Sequence, residues 1–161
     1  LTEILLHVET ENFSVVRKGE IMSVESKSIE LLLQNYFEEV YEKGRIDLLD
    51  ILCTPDLISF GLPAPFTTDL NSLKQMVAMI RNSFSSIRWT AEDVVVEGDK
   101  VAVRWMSSSI HSSEFMGIPA TGKSVSMSGM DFWHLRDGKI AEKWTNYDML
   151  GLLGQLGASP Q

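Results

Sequence analysis

Val95-Val96-Glu97-Gly98-Asp99-Lys100-Val101-Ala102-Val103-Arg104-Trp105 decides the fold. Val101, Val103 and Trp105 alternate with Ala102, Arg104 and Met106, the period of two expected of a strand with one buried face. Glu97-Gly98-Asp99-Lys100 is a tight turn, so the strand Ile87 to Glu97 folds back onto this one as a hairpin. The second strand could run on to Phe115. Toward the C-terminus the same pattern repeats. A loop holding Gly117, Pro119 and Gly122 reverses the chain into a strand from Ser124 to Leu135. Arg136-Asp137-Gly138-Lys139 turns it again, because Asp-Gly supplies the positive φ angles of a type I′ turn. The strand Ile140 to Tyr147 follows, and Asp148 caps a last short helix, Met149 to Leu156.

Toward the N-terminus the period lengthens. Ile29, Leu32, Leu33, Tyr36, Phe37, Val40 and Tyr41 form one stripe of a helix that starts near Ser26 or Ser28 and ends at Gly44. A helical piece from Ile46 to Leu52 stops at Thr54-Pro55. Leu57 to Phe60 reads as a short strand, and Gly61-Leu62-Pro63-Ala64-Pro65 as a loop. Thr68 or Asp69 caps a second long helix with the stripe Leu73, Met76, Val77, Ile80 and Phe84. Helices followed by an antiparallel meander define an α+β class. A long curved sheet wrapped over those helices makes a cone with an apolar interior, where a small ligand would sit. Leu1 to Ile21 is expected to be an extension outside the domain proper, which runs from Met22 to Gln161. An extra strand or helix docked on the domain is the competing reading.

The chain has 161 residues, of which 44% are hydrophobic and 22% charged, the balance of one ordinary globular domain. Fourteen basic against 22 acidic residues give a net charge of −8. That balance, with no Lys/Arg run, excludes the electrostatic footprint of a nucleic-acid binder or of a protein that rests on an anionic membrane. The lone Cys53 leaves no internal disulfide and no cysteine cage for zinc. No apolar run approaches the roughly 20 residues of a membrane span. The expectation is a soluble, cytoplasmic protein.

Asp131 sits mid-strand in Met127-Ser128-Gly129-Met130-Asp131-Phe132-Trp133, where aspartate is disfavoured. A carboxylate on a solvated face is one reading. The alternation favours another, because Asp131 shares its face with Met127, Trp133 and Leu135 while Ser126, Ser128 and His134 fall opposite. Apolar surroundings disfavour the charged form of a carboxyl, which suits it to proton transfer near neutral pH. Arg104 either pairs with an acidic neighbour or lines the pocket, where its planar fork would hold a substrate oxygen; the pocket is expected. His111 ends a strand beside the glycine-rich loop, as a proton shuttle at the cavity mouth or as a strand-end hydrogen-bonding residue. Trp144 and Asn146 alternate with Lys143, Thr145 and Tyr147, so one of the two sets faces inward. Met76, Met79, Met106, Met116, Met127 and Met130 suit an adaptable pocket or an ordinary core.

The hairpin quoted above, then His111-Ser112-Ser113-Glu114-Phe115-Met116-Gly117-Ile118-Pro119-Ala120-Thr121-Gly122-Lys123 and Asp131-Phe132-Trp133-His134-Leu135-Arg136-Asp137-Gly138-Lys139-Ile140-Ala141-Glu142-Lys143-Trp144, carry a resemblance. Closing with Asp148 and Gln155-Leu156-Gly157, they resemble the SnoaL-like polyketide cyclase family from Ser28 to Gly157. The resemblance implies a cone-shaped α+β barrel of the nuclear-transport-factor-2 type, paired as a homodimer through the outer face of the sheet. It implies an intramolecular aldol closure of an aromatic polyketide ester, without metal, organic cofactor or Schiff base. Asp131 matches the family's general acid/base, the aspartate in the strand before the Asp-Gly turn. The expected catalytic residues are therefore Asp131 and His111. Arg104, Tyr36, Trp105, Trp133, Trp144, Asn146 and Phe60 are expected to bind substrate. Phe60 and Lys143 stand where the family often carries histidine, which makes the mouth more apolar and removes two proton carriers.

Three functions fit these expectations. One is an enzyme, a lyase or isomerase acting on an apolar carbonyl compound. A second is a carrier or sensor of an apolar ligand, with Asp131 as a polar anchor. The third is a dimerisation domain with a vestigial pocket. An epoxide hydrolase would need two carboxylates around an arginine, and only Asp131 is placed for that. A ketosteroid isomerase-like site would need a second protonated acid or a tyrosine donor, for which Tyr36 or Tyr41 is available.

Overall fold

The computed structural model describes residues 24–158, so the expected extension Leu1 to Ile21 lies outside the described residues. Helix α1 (Val24–Gln34) continues into a wider π-helical segment, Asn35–Glu42. A short turn of 3-10 helix, Ile46–Leu48, leads into α2 (Leu49–Leu52), and β1 (Cys53–Phe60) and α3 (Leu70–Ser83) follow. Four long strands complete the sheet: β2 (Phe84–Glu97), β3 (Lys100–His111), β4 (Ser124–Arg136) and β5 (Lys139–Tyr147). Helix α4 (Met149–Leu156) is last. The sheet order is β1-β5-β4-β3-β2. Only β1 is parallel to its neighbour, so the rest is the expected antiparallel meander. No helix among the described residues is long and apolar enough to cross a membrane.

The curvature has local causes. β2 shifts register between Ser85 and Arg88 and again between Ala91 and Asp93, and such bulges bend a strand and sharpen its twist. The Asp-Gly turn forms as the sequence requires, with φ of 52° at Asp137 and 74° at Gly138. On the concave side α1, its π-helical continuation and α3 bury Leu33, Phe37, Val40, Leu73 and Val77 against Val101, Val103, Trp105 and Trp133. A smaller cluster at the other end packs Leu152 and Leu156 of α4 on Phe84, Ile87, Phe115 and Val125.

Several boundaries differ from the sequence expectation. β1 starts at Cys53 rather than Leu57 and runs through Pro55, which is tolerated because β1 is an edge strand whose register with β5 slips between Cys53 and Ile58. β3 ends at His111, because Phe115 makes only an isolated bridge to Ile118. The first helix ends in π turns instead of α turns. Arg81 of α3 fastens that end by donating from Nη1 to the carbonyls of Tyr41 (2.6 Å) and Glu42. Gly44 is required beside it, since its φ is +79° and a Cβ there would lie 2.5 Å from Arg81 Nε.

Candidate active site

The inner face of the sheet places one carboxylate and one ammonium together in its interior. Asp131 of β4 pairs with Val103 of β3 and Thr145 of β5, and Trp133 pairs with Lys143. Lys143 Nζ lies 3.2 Å from Asp131 Oδ2, with the two side chains only 2% and 3% exposed. Asp131 Oδ1 accepts from Trp105 Nε1 at 3.1 Å and Oδ2 from Trp133 Nε1 at 3.2 Å. A carboxylate offers about four acceptor sites, so after two indoles and the ammonium one site is left for the cavity. Lys143 also donates to Thr145 Oγ1 and stands 5.8 Å from the centre of the Tyr36 ring.

Two phenols close the other side. Tyr36 Oη and Tyr41 Oη are 3.5 Å apart and buried. Residues five apart point about 140° from each other on an ordinary α-helix. The π turn, whose hydrogen bonds span five residues, brings them together. Burial, then the neighbouring phenol and Asp131, push Tyr36 well above the usual phenol range. Burial likewise pushes Tyr41 up, against an opposing pull from its hydrogen bond to Tyr36. Both therefore remain protonated donors at neutral pH.

Above this cluster lies a cavity of about 70 Å³ whose wall includes Asp131, Lys143, Tyr36, Tyr41 and Trp105. The rest of the wall is largely apolar, with Trp89, Phe84, Phe115 and the methionines Met76, Met79, Met127 and Met149, and with Ser107, Ser109 and Thr145 as polar points. Met106, Met116 and Met130 are exposed instead. Burial raises the thiol of Cys53, behind the site, to about 12. Among the described residues no three His, Cys, Asp or Glu side chains gather as metal ligands would.

The structure brings together Asp131, Tyr36, Trp105 and Trp133, although Trp133 stands behind the carboxylate and is not part of the cavity wall. It separates the other candidates. Arg104 is on the outer face, bound to Asp93 at 2.7 Å and near Glu92 at 3.8 Å, so it does not line the pocket. Phe60 and Trp144 stack on each other on the outer face, with centroids 5.2 Å apart, and Asn146 is exposed. The inward set of β5 is Lys143, Thr145 and Tyr147. The cause is a bulge: Leu135 pairs with Ile140 but His134 pairs with Glu142, which leaves Ala141 as an extra residue and inverts the alternation after it. Lys143 is accordingly deep in the site and not at its mouth.

His111 is buried at the end of β3, where Nδ1 meets Thr121 Oγ1 at 3.1 Å and accepts from Thr121 N at 3.3 Å. It is eight residues along β3 from Val103, the partner of Asp131, or roughly 26 Å at about 3.3 Å per residue. It holds the loop after β3 and cannot exchange a proton with Asp131. Sequence reasoning missed Gly129, whose bare Cα makes room for Trp105: a Cβ there would lie 2.2 Å from Trp105 Cζ2. A glycine in mid-strand was the available signal. Trp89 was missed as well; it lines the cavity, and its buried Nε1 has no hydrogen-bond partner among the described residues.

The family model described as SnoaL-like polyketide cyclase matches residues 31–156. Among solved structures, TsrD from Streptomyces laurentii is 26% identical, with a TM-score of 0.76 over 85% of this chain and 100% of its own. IdmH from Streptomyces antibioticus, a candidate polyketide cyclase, is 30% identical, with a TM-score of 0.68 over 84% of this chain and 100% of its own. A candidate polyketide cyclase from Bacillus cereus is 25% identical, with a TM-score of 0.74 and 87% coverage of both chains. No curated protein matches the chain.

Proposed function

The chain belongs to the SnoaL-like polyketide cyclase family, and on that premise we propose that it is a lyase or isomerase acting on an apolar, polyketide-like carbonyl compound by proton transfer at Asp131. One observation carries this reading: the Asp131 carboxylate is fixed by two indole N–H groups in the wall of an apolar cavity, with the Lys143 ammonium beside it. Asp131 takes the proton from a carbon between two carbonyls, a position acidic enough for a carboxylate to deprotonate. The negative charge then grows on a carbonyl oxygen. Lys143 Nζ and the Tyr36–Tyr41 phenols are the donors that stabilise it in a site shielded from water. The resulting enolate attacks a second carbonyl to form the carbon–carbon bond, and Asp131 returns its proton to the new alkoxide.

The test is Asp131→Asn with aromatic β-keto esters as substrates. Turnover should fall by about 10²–10⁴-fold, while ligand affinity, read from quenching of indole fluorescence, changes little. A variant that alters affinity but has no turnover to lose would favour a carrier, a reading supported by the engagement of both Asp131 oxygens with protein donors. The proposal extends to a homodimer formed through the outer face of the sheet, where Phe60, Met130 and Phe132 are exposed.

A further inference from the structure

The inner face of the sheet carries two polar stations, and the proton-transfer scheme uses one of them. Asp131 and Lys143, with the two phenols, form the first. The second is Ser107 and Ser109, the residues of β3 that follow Trp105 in the inward alternation and stand in the cavity wall. We propose that Ser109, with Ser107 beside it, is a subsite for a neutral oxygen, a hydroxyl or a ketone, at the end of the ligand remote from its reacting carbonyl. The proposal rests on the reading of this cavity as a carbonyl site and adds the far end of the ligand to it.

The two hydroxyls are available. Ser107 Oγ donates to the Met127 carbonyl at 3.4 Å, which leaves its lone pairs open. Ser109 is half-buried, and its hydroxyl has no hydrogen-bond partner among the described residues. The neighbouring wall includes Phe84, Phe115, Val125 and Leu152, all apolar and buried. A ligand oxygen seated among them loses its hydration, and a bond to Ser109 replaces it. Among the described residues, Asp131 and Lys143 are the only charged side chains in the cavity wall. A carboxylate or ammonium at the serine end would therefore have no counter-charge, so the group that fits there is neutral. A serine hydroxyl both donates and accepts, and it can meet an alcohol or a ketone.

The strand sets the length of the ligand. Ser107 and Ser109 are four and six residues along β3 from Val103, the partner of Asp131, or roughly 13 and 20 Å at about 3.3 Å per residue. With a hydrogen bond of about 2.8 Å at each end, about 7–14 Å remains between the two oxygens of the ligand. Fused aromatic rings with an oxygen at each end span that interval. Trp89, which pairs with Ser107 in the β2–β3 register, and Trp105 lie along the way with ring centres 4.2 Å apart, a wall suited to flat rings.

The experiment titrates the native chain by calorimetry with 2-acetonaphthone and with 6-hydroxy-2-acetonaphthone, which adds one hydroxyl at the end opposite the ketone. The hydroxyl should tighten binding about 3–10-fold, the net worth of one hydrogen bond. Ser109→Ala should erase that advantage and leave the affinity for 2-acetonaphthone as it is in the native chain. Equal affinities for the two ketones overturn the subsite and leave the carbonyl-site reading standing, as does an advantage that survives Ser109→Ala. Failure of both ketones to bind overturns the two together. Orientation is read on the native chain, independently of whether the variant folds. Intermolecular nuclear Overhauser contacts should join the ring protons beside the hydroxyl to the methyls of Val125, which pairs with Ser109, and the acetyl methyl to the Tyr36 ring. The reverse pairing overturns the subsite.

Discussion

Lys143 Nζ and Asp131 Oδ2 are 3.2 Å apart in a part of the molecule from which water is almost excluded. Ionised groups so placed are costly to leave without a partner. Replacing Lys143 by Met should therefore destabilise the fold by about 3–5 kcal/mol, because an unpaired carboxylate remains. Lys143→Met combined with Asp131→Asn should cost less than the sum of the two single changes. Urea denaturation of the four proteins closes the cycle; simple additivity would mean that the two groups do not interact.

Gly129 controls one of the donors to that carboxylate. It lies opposite Trp105 in the β3–β4 register, and a Cβ on it would sit 2.2 Å from Trp105 Cζ2. Trp105 is buried and bonded to Asp131, so it cannot give way freely. Gly129→Ala should cost about 1–3 kcal/mol through overpacking and should weaken ligand binding. Denaturation midpoints and the tryptophan emission spectrum report the two effects. An unchanged spectrum would mean that the indole does not rest on this glycine.

The phenol pair makes stability depend on alkaline pH. Tyr36 and Tyr41 are raised above the ordinary value of 10.0 in the folded chain, chiefly by burial. Their contribution is complete below 10.0. Above that pH the unfolded chain loses phenol protons that the folded chain keeps, so folding stability falls as pH rises. Each tyrosine adds a slope of about 1.4 kcal/mol per pH unit. Urea denaturation across this range should show the fall, and Tyr36→Phe or Tyr41→Phe should reduce it. Tyrosinate absorbance from either phenol in the folded protein near its ordinary value would contradict the buried pair.

The meander, both tight turns, the Asp148 cap and the inward face of Asp131 were legible because each follows from local chemistry, and of the two caps open for α3, Thr68 and Asp69, the chain uses Asp69. Alternation within one strand places Asp131 between Met127 and Trp133 wherever the strand lies. The errors at Trp144 and Asn146 come from the pairing of β4 with β5, where one extra residue at Ala141 inverts the faces. Nothing local to Lys139–Tyr147 announces that bulge. Arg104 differs: alternation with the buried Val103 and Trp105 already puts it on the outer face, where it meets Asp93, and the expectation that it lines the pocket set that local pattern aside. The π turn that joins Tyr36 to Tyr41 is equally hidden, since the apolar stripe fits an α-helix just as well. The site was half legible for this reason: the acid comes from one strand's own pattern, and its lysine from the register between two.

The outer face of the sheet supports the last prediction. Phe60 and Trp144 stack there, and Phe132 and His134 pack beside Trp144. Met130 projects from the same face of β4 and is 60% exposed. A patch of this kind on an otherwise acidic protein is the sort of surface that a second copy covers. Arg104 lies next to it, opposite Met130 in the β3–β4 register, with Asp93 and Glu92 at hand. That places charges of both signs beside the apolar centre of a self-complementary contact. The native chain should sediment as a dimer. Met130→Glu should shift it toward monomer by burying a charge at the contact, and Asp131, on the opposite face, should keep its affinity for ligand. A native chain that sediments as a monomer at micromolar concentration would remove the homodimer from the proposal and leave the cavity chemistry untouched.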